Sequence, residues 1–112
     1  MKKIEAIIRI EKLDEVRDTL ERYGYPGMTI TRVEGHGRQK GIVEQFRGRE
    51  FKVELLPKTK IEIIAHEKDV DKLMESISKA AKTGEIGDGK IFVYPVENAQ
   101  RIRTGEKGDN AI

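Results

Sequence analysis

Cysteine and tryptophan are both absent from the 112 residues. Without a thiol there is no disulfide framework, no thiolate zinc site and no cysteine nucleophile. Aromatic residues make up only 5% of the chain, which leaves few stacking platforms for a nucleic-acid-binding sheet. Neither sign of charge dominates. Lys and Arg number 22 against 20 Asp and Glu, and a net charge of +2 is too balanced for a general nucleic-acid binder. No apolar run approaches membrane-spanning length. The Met1-Lys2-Lys3 opening has the charge of a signal peptide, but Glu5 and Arg9 interrupt any apolar region behind it. The expectation is therefore a cytoplasmic protein. His36 and His66 stand alone, without metal-ligand spacing, and read as surface residues.

What is present is periodicity. At this length the chain reads as one domain over residues 1–112, able to fold alone and helped by a shared oligomer core. Ile4, Ala6, Ile8 and Ile10 alternate with Lys3, Glu5, Ile7 and Arg9, a strand with one buried face. Leu13, Val16, Leu20 and Tyr23 recur at helical spacing, with Gly24 as the stop. Pro26-Gly27 marks a turn, and Met28 to Gly35 reads as a second strand. From about 37 to 54 the pattern fails, and a loop that long inside a compact domain is usually functional. Leu55 to His66 is a third strand, in which Pro57 argues for an edge position or a bulge. Val70, Leu73, Met74, Ile77 and Ala81 form the stripe of a second helix. Asp69 and Asp71 at its start suit the helix dipole better than acid–base work. Ile91 to Val96 is the fourth strand, and the tail from about 100 to 112 is polar and expected to fray at its extreme end. The order predicts an α+β fold, a ferredoxin-like β-α-β-β-α-β sandwich with a long loop between its second and third strands.

The stretch TGEIGDGKIFV, Thr83 to Val93, carries the chemistry. Gly84, Gly87 and Gly89 surround Asp88, and Lys90 follows at the mouth of the strand. Glycine permits positive φ and close approach of N–H groups to a ligand. Successive inward N–H groups form an anion nest, and a neighbouring lysine adds a full charge. Arg101 and Arg103 add two cations at i and i+2. The pattern reads as a polyphosphate site, though its spacing is not that of a P-loop. Taken alone, the glycines also fit a helix stop and hairpin turn, and the arginines fit solvated tail charges.

These residues carry a resemblance. KIEAIIRIEKLDEVRDTL, GMTITRVEGHGRQKG, FRGREF, TGEIGDGKIFV and RIRTGE together resemble the PII signal-transduction proteins over essentially the full length. The resemblance implies a homotrimeric, non-catalytic sensor of nitrogen, carbon and energy status. Such proteins bind ATP or ADP in clefts between subunits and, with Mg-ATP, 2-oxoglutarate. The long loop, the family's T-loop, docks on targets, the best known being an Amt-type ammonium channel. Nitrogenase and glutamine synthetase are alternative targets.

Carried onto this chain, the resemblance assigns the phosphates to the backbone of Gly87, Asp88 and Gly89, to Lys90 and, from a neighbouring subunit, to Arg101 and Arg103. Arg38 would meet the terminal phosphate, with Gly35 and Gly37 leaving room. The adenine would lie near Ile7, Thr29, Glu62 and Ile64. Gln39 would ligate magnesium, Lys58 would pair a 2-oxoglutarate carboxylate, and the backbone at Lys40 and Gly41 would close over it. Arg47 matches the family's channel-plugging arginine, and Gly48 follows it.

The chain departs from the family at the loop tip. A tyrosine that many relatives nucleotidylate is Phe51 here, which has no hydroxyl, and Phe46 replaces another common tyrosine. Arg49 stands where some relatives carry a phosphorylated serine. Regulation by small-molecule binding alone is the economical expectation, with Phe46 and Phe51 as local packing groups or partner anchors. Two other classes fit the sequence less well. A small ATP-using enzyme lacks a candidate base or nucleophile beside the phosphate site, and a nucleic-acid module would need exposed sheet aromatics, of which the strands show few.

Overall fold

Buried alternation in the first strand sets the architecture. The computed structural model describes residues 1–36, 45–46, 49–50 and 55–112, with side chains for 1–35 and 55–112. Strand β1 (Lys2–Arg9) buries Ile4, Ala6 and Ile8 and ends one residue earlier than its apolar pattern. Ile10 begins a short 3₁₀ turn and is 49% exposed, because the chain has left the sheet there. Helix α1 (Leu13–Arg22) follows, with Val16, Thr19 and Leu20 buried.

Helix α1 stops as its sequence predicts. Gly24 takes φ 85° and its N–H donates to the Glu21 carbonyl at 3.0 Å, while the Tyr25 N–H donates to the Leu20 carbonyl at 2.9 Å. This double bond pattern closes a helix with a left-handed residue. It also turns Tyr25 onto the core. The Tyr25 hydroxyl donates to Asp69 Oδ2 at 2.5 Å and accepts from the His66 N–H at 3.2 Å. Asp69 thus ties the start of the second helix to the end of the first, a role the helix-dipole reading misses.

Strand β2 (Thr29–His36) is followed by two two-residue strands, β3 (Gln45–Phe46) and β4 (Arg49–Glu50), which pair with each other. The long strand β5 (Leu55–Ala65), helix α2 (Val70–Ala81) and strand β6 (Gly89–Pro95) complete the element order. The main sheet runs β2-β5-β1-β6, with every neighbour antiparallel. β1 and β2 are both antiparallel to β5, so they are parallel to each other and α1 is a crossover; α2 relates β5 and β6 in the same way. This is the ferredoxin-like sandwich.

Ile4, Ala6, Ile8, Ile61, Ile63 and Ala65 face Val16, Leu20, Leu73 and Ile77 in one core. Pro57 sits on a strand that is central, without a bulge in its register, yet β1 ends opposite Lys58. Pro57 therefore has β2 on one side only, and its missing N–H breaks no ladder bond with β1. The extreme end, expected to fray, forms a 3₁₀ turn over Gly108–Ala111 whose Ala111 carbonyl accepts from Arg101 Nε, and the rest of the tail is bonded as well. Gly105 N–H bonds the Arg101 carbonyl at 2.8 Å, Arg101 N–H bonds the Glu106 carbonyl at 2.9 Å and Gly108 N–H bonds the Ala99 carbonyl at 3.0 Å. Among the described residues no helix is long and apolar enough to cross a membrane.

Replacing Tyr25 by Phe leaves the His66 N–H and the Asp69 carboxylate short of a partner. The expected cost is ~1–2 kcal/mol in urea unfolding at fixed protein concentration. An unchanged midpoint would remove the hydroxyl from any structural role.

Candidate functional site: a glycine-lined cationic groove

One face of the main sheet carries the helices and the other does not. Register places Lys3, Glu5, Ile7 and Arg9 of β1 on that second face, beside Lys58, Lys60, Glu62 and Ile64 of β5 and Lys90, Phe92 and Tyr94 of β6. At one end, the segment between α2 and β6 folds back over this face. It closes a groove of about 540 Å³ lined by Ile7, Gly35, Lys58 and residues 85–90, with Leu56 and Phe92.

The Gly89 backbone sets how close that segment comes. Gly89 pairs with Ile8 and has φ 105°, and a Cβ there would stand 1.8 Å from the Ile7 carbonyl oxygen. No other residue fits without moving β1 or β6. This also explains why β6 starts two residues before the apolar run predicts: Gly89 and Lys90 already pair with β1.

Asp88 is turned inward. Its carboxylate accepts from Arg9 Nε at 2.9 Å, from the Thr83 N–H at 2.9 Å, from the Gly84 N–H at 2.9 Å, and from the Thr83 hydroxyl. Burial alone would raise its pKa. The hydrogen bonds from the Thr83 hydroxyl, Arg9 and the Thr83 and Gly84 amides outweigh that and hold the carboxyl well below the usual range. Asp88 is thus committed to folding the loop, and only its backbone is left for a ligand.

The carbonyls of the loop are also committed. Arg9 Nη2 donates to the Ile86 carbonyl at 2.9 Å, and Lys58 Nζ donates to the Gly87 carbonyl at 2.5 Å. In a trans peptide the C=O and the following N–H point in opposite directions. The Gly87 and Asp88 N–H groups therefore point away from Arg9 and Lys58. Among the described residues neither N–H has an intramolecular acceptor, and Lys90 Nζ has no partner. Two adjacent free amides beside a lysine form an anion nest. Lys58 is only 8% exposed, and its pKa is lowered first by burial and then by the Arg9 charge.

The residues expected at the site divide into three sets. Ile7, Gly35, Lys58, Gly87, Asp88, Gly89 and Lys90 line the groove together. Thr29, Glu62, Ile64 and Arg101 line a second hollow, of about 740 Å³, with Tyr25, Met28 and Ile112. Lys58 and Glu62 are four residues apart on β5, ~13 Å at strand rise, so the hollows lie toward opposite ends of one face. Arg101 Nε donates to the Ala111 carbonyl at 3.1 Å, while Arg103 is exposed on the turn beyond. Gly37, Arg38, Gln39, Lys40, Gly41, Arg47, Gly48 and Phe51 lie outside the described residues, as do the side chains of Phe46 and Arg49. Arg9 and Thr83 are the residues that sequence reasoning passed over. The strand pattern did place Arg9 on the face of Ile7, but its partner Asp88 is remote in sequence.

A ferredoxin-like sandwich whose open sheet face ends in a cationic, glycine-lined groove places the chain among small α+β proteins of that superfold. Comparison with known proteins is more specific. Residues 1–106 match the family described as Nitrogen regulatory protein P-II. The chain is 57% identical over its full length, and 97% of the relative's, to Nitrogen regulatory protein P-II 2 of Methanothermobacter thermautotrophicus. It is 56% identical to the Nitrogen regulatory protein P-II of Pasteurella multocida and to that of Azospirillum brasilense, over the whole of both chains in each case. The protein belongs to the P-II family of nitrogen regulatory proteins, and it is a regulator rather than an enzyme.

Two substitutions test the groove. Gly89→Ala is expected to cost about 3 kcal/mol or more through the clash with Ile7 and the left-handed backbone. Asp88→Asn is expected to cost ~1–3 kcal/mol at pH 7. The native Asp88 pKa lies below its unfolded value, so its contribution is fully present above about pH 3.9 and fades as pH falls toward the native value. The difference between wild type and Asp88→Asn in urea unfolding should shrink below that pH; a constant difference would contradict the assignment.

Proposed function

We propose that the protein is a cytoplasmic homotrimeric sensor that binds ATP or ADP between protomers and, with Mg-ATP, 2-oxoglutarate. The observation carrying this reading is the nest itself: the free Gly87 and Asp88 amides beside Lys90, backed by buried Arg9 and Lys58. Diphosphate and triphosphate oxygens are anions suited to such a nest. The separation of the hollows supports a composite site. The groove with residues 86–90 lies at one end of the open face, and Arg101 lies at the other. Contact between unlike patches on successive copies closes into a ring. In that ring, Arg101 and Arg103 of one protomer reach the phosphates held by the next, and Thr29, Glu62 and Ile64 complete the purine pocket begun by Ile7.

The open sheet face supplies the rest of the support. Lys3, Glu5, Glu62 and Tyr94 form a connected network on it, with Lys3 3.2 Å from Glu62 and the Tyr94 hydroxyl 3.1 Å from Glu5. Ile7, Ile64 and Phe92 share that face, and Phe92 is 41% exposed. A second and a third copy cover them.

Magnesium enters with ATP, held by phosphate oxygens and Gln39, as a hard ion with few protein ligands prefers. Lys58 pairs a 2-oxoglutarate carboxylate, with the Lys40 and Gly41 backbone alongside. The loop 37–54 reports the state of this site to a partner, an Amt-type ammonium channel or another nitrogen-metabolism protein, through Phe46, Arg47, Gly48, Arg49 and Phe51. A ligand moves that loop only by its differential affinity for two geometries. Going from 1:99 to 99:1 needs about 5.5 kcal/mol. Three charge-assisted contacts of roughly 1.5–3 kcal/mol each supply it. Phe51 rules out nucleotidylation at that position, so metabolites act without it.

The expected results are a trimer in sedimentation equilibrium, calorimetric binding of ADP and ATP, and 2-oxoglutarate binding only with Mg-ATP. Lys90→Ala and Arg101→Ala should each lose ADP binding. Refolding the two variants together should recover part of it, because mixed rings contain intact clefts. A monomer that is blind to adenylates would overturn the reading, and absence of any recovery would overturn the shared cleft.

A further inference from the structure

Arg9 is buried to 9% exposure beneath the 86–88 segment and makes two bonds in different directions from one planar group. Nε holds the Asp88 carboxylate and Nη2 holds the Ile86 carbonyl, each at 2.9 Å. These two anchors bracket Gly87, whose own carbonyl is pinned by Lys58. Gly87 has φ 100° and no side chain, so nothing intrinsic to it fixes the direction of the flanking peptides. The direction is imposed by the cations underneath.

We propose that Arg9 is a positioning residue for the phosphate nest: its guanidinium fork orients the Gly87 and Asp88 amides toward bound phosphate without itself touching the ligand. The inference rests on the nucleotide reading of the groove above. The fork geometry is what matters. A guanidinium presents donors at fixed angles, whereas an ammonium is a point charge that serves one acceptor direction well. Preorganised amides bind an oxyanion without reorganising, so misdirecting them weakens phosphate binding while leaving the purine pocket alone. Thr83 and Gly84 also hold the Asp88 carboxylate, but among the described residues Arg9 is the side chain that bonds both that carboxylate and the Ile86 carbonyl.

The test compares Arg9→Met and Arg9→Lys with wild type, using ADP and adenosine as probes. Arg9→Met should weaken ADP about tenfold or more and adenosine less than twofold. Arg9→Lys, which keeps the charge, should recover only part of the ADP affinity; if Arg9→Met does not assemble, this variant carries the test. ADP binding equal to wild type in both variants, equal losses for ADP and adenosine, or full recovery by lysine would each overturn the role of the fork. A second readout needs no nucleotide. The Gly87 and Asp88 amide resonances should move between wild type and Arg9→Lys, and unmoved resonances overturn the proposal. A wild-type protein that binds neither probe defeats the nucleotide reading, while the amide shifts still judge the geometry.

Discussion

Two cations, Arg9 and Lys58, lie side by side under a chain segment with little side-chain bulk of its own. Burying like charges together is unfavourable unless each finds a strong partner. Among their partners are the Asp88 carboxylate and the backbone carbonyls of Ile86 and Gly87. That choice has a geometric consequence. Carbonyls drawn down to the cations leave amides facing up, so the demand for neutralisation inside the sheet and the offer of donors outside it come from the same peptides. The close approach at Gly89 makes the arrangement possible, since a side chain there would strike β1.

The two faces of the sheet differ in chemistry. Its helical side holds a dense core of isoleucine, leucine, valine and alanine. Its open side mixes half-buried lysine and glutamate pairs with Ile7, Ile64 and Phe92. Such a surface is too polar for a monomer's core and too apolar for permanent exposure. On the proposed homotrimeric reading it would form the boundary between protomers, where register and specificity matter as much as buried area.

The fold was legible because periodicity switches cleanly between strand and helix. Ile61, Ile63 and Ala65 alternate, while Leu73 and Ile77 repeat at helical spacing, and all five are buried as read. Misreadings fell where a long-range partner overrides local pattern. Ile10 continues the apolar alternation yet leaves the sheet, whereas the edge position read from Pro57 holds at that point because β1 has already ended. The tail looked free because its carbonyl and amide partners are supplied by a turn that composition does not reveal. At the site, residue type alone marked Gly84, Gly87, Gly89 and Lys90 as a glycine-rich turn with a cation, and three of the four, Gly87, Gly89 and Lys90, line the groove. The bond from Arg9 to Asp88 crosses most of the chain and leaves no local mark. Nor does linear order show that Thr29 and Glu62 pair with each other while Lys58 faces Gly87.

Strand β1 lies between β5 and β6, so the earliest strand made is flanked by two of the latest. During synthesis its hydrogen-bonding edges have no partner until translation has passed Ala65 on one side and Pro95 on the other. Pairings between distant segments slow folding, and open strand edges invite aggregation. In a nascent chain Ile4, Ala6 and Ile8 therefore wait for α2, the helix that packs on β1, and the 86–88 segment cannot take its place until β6 zips in.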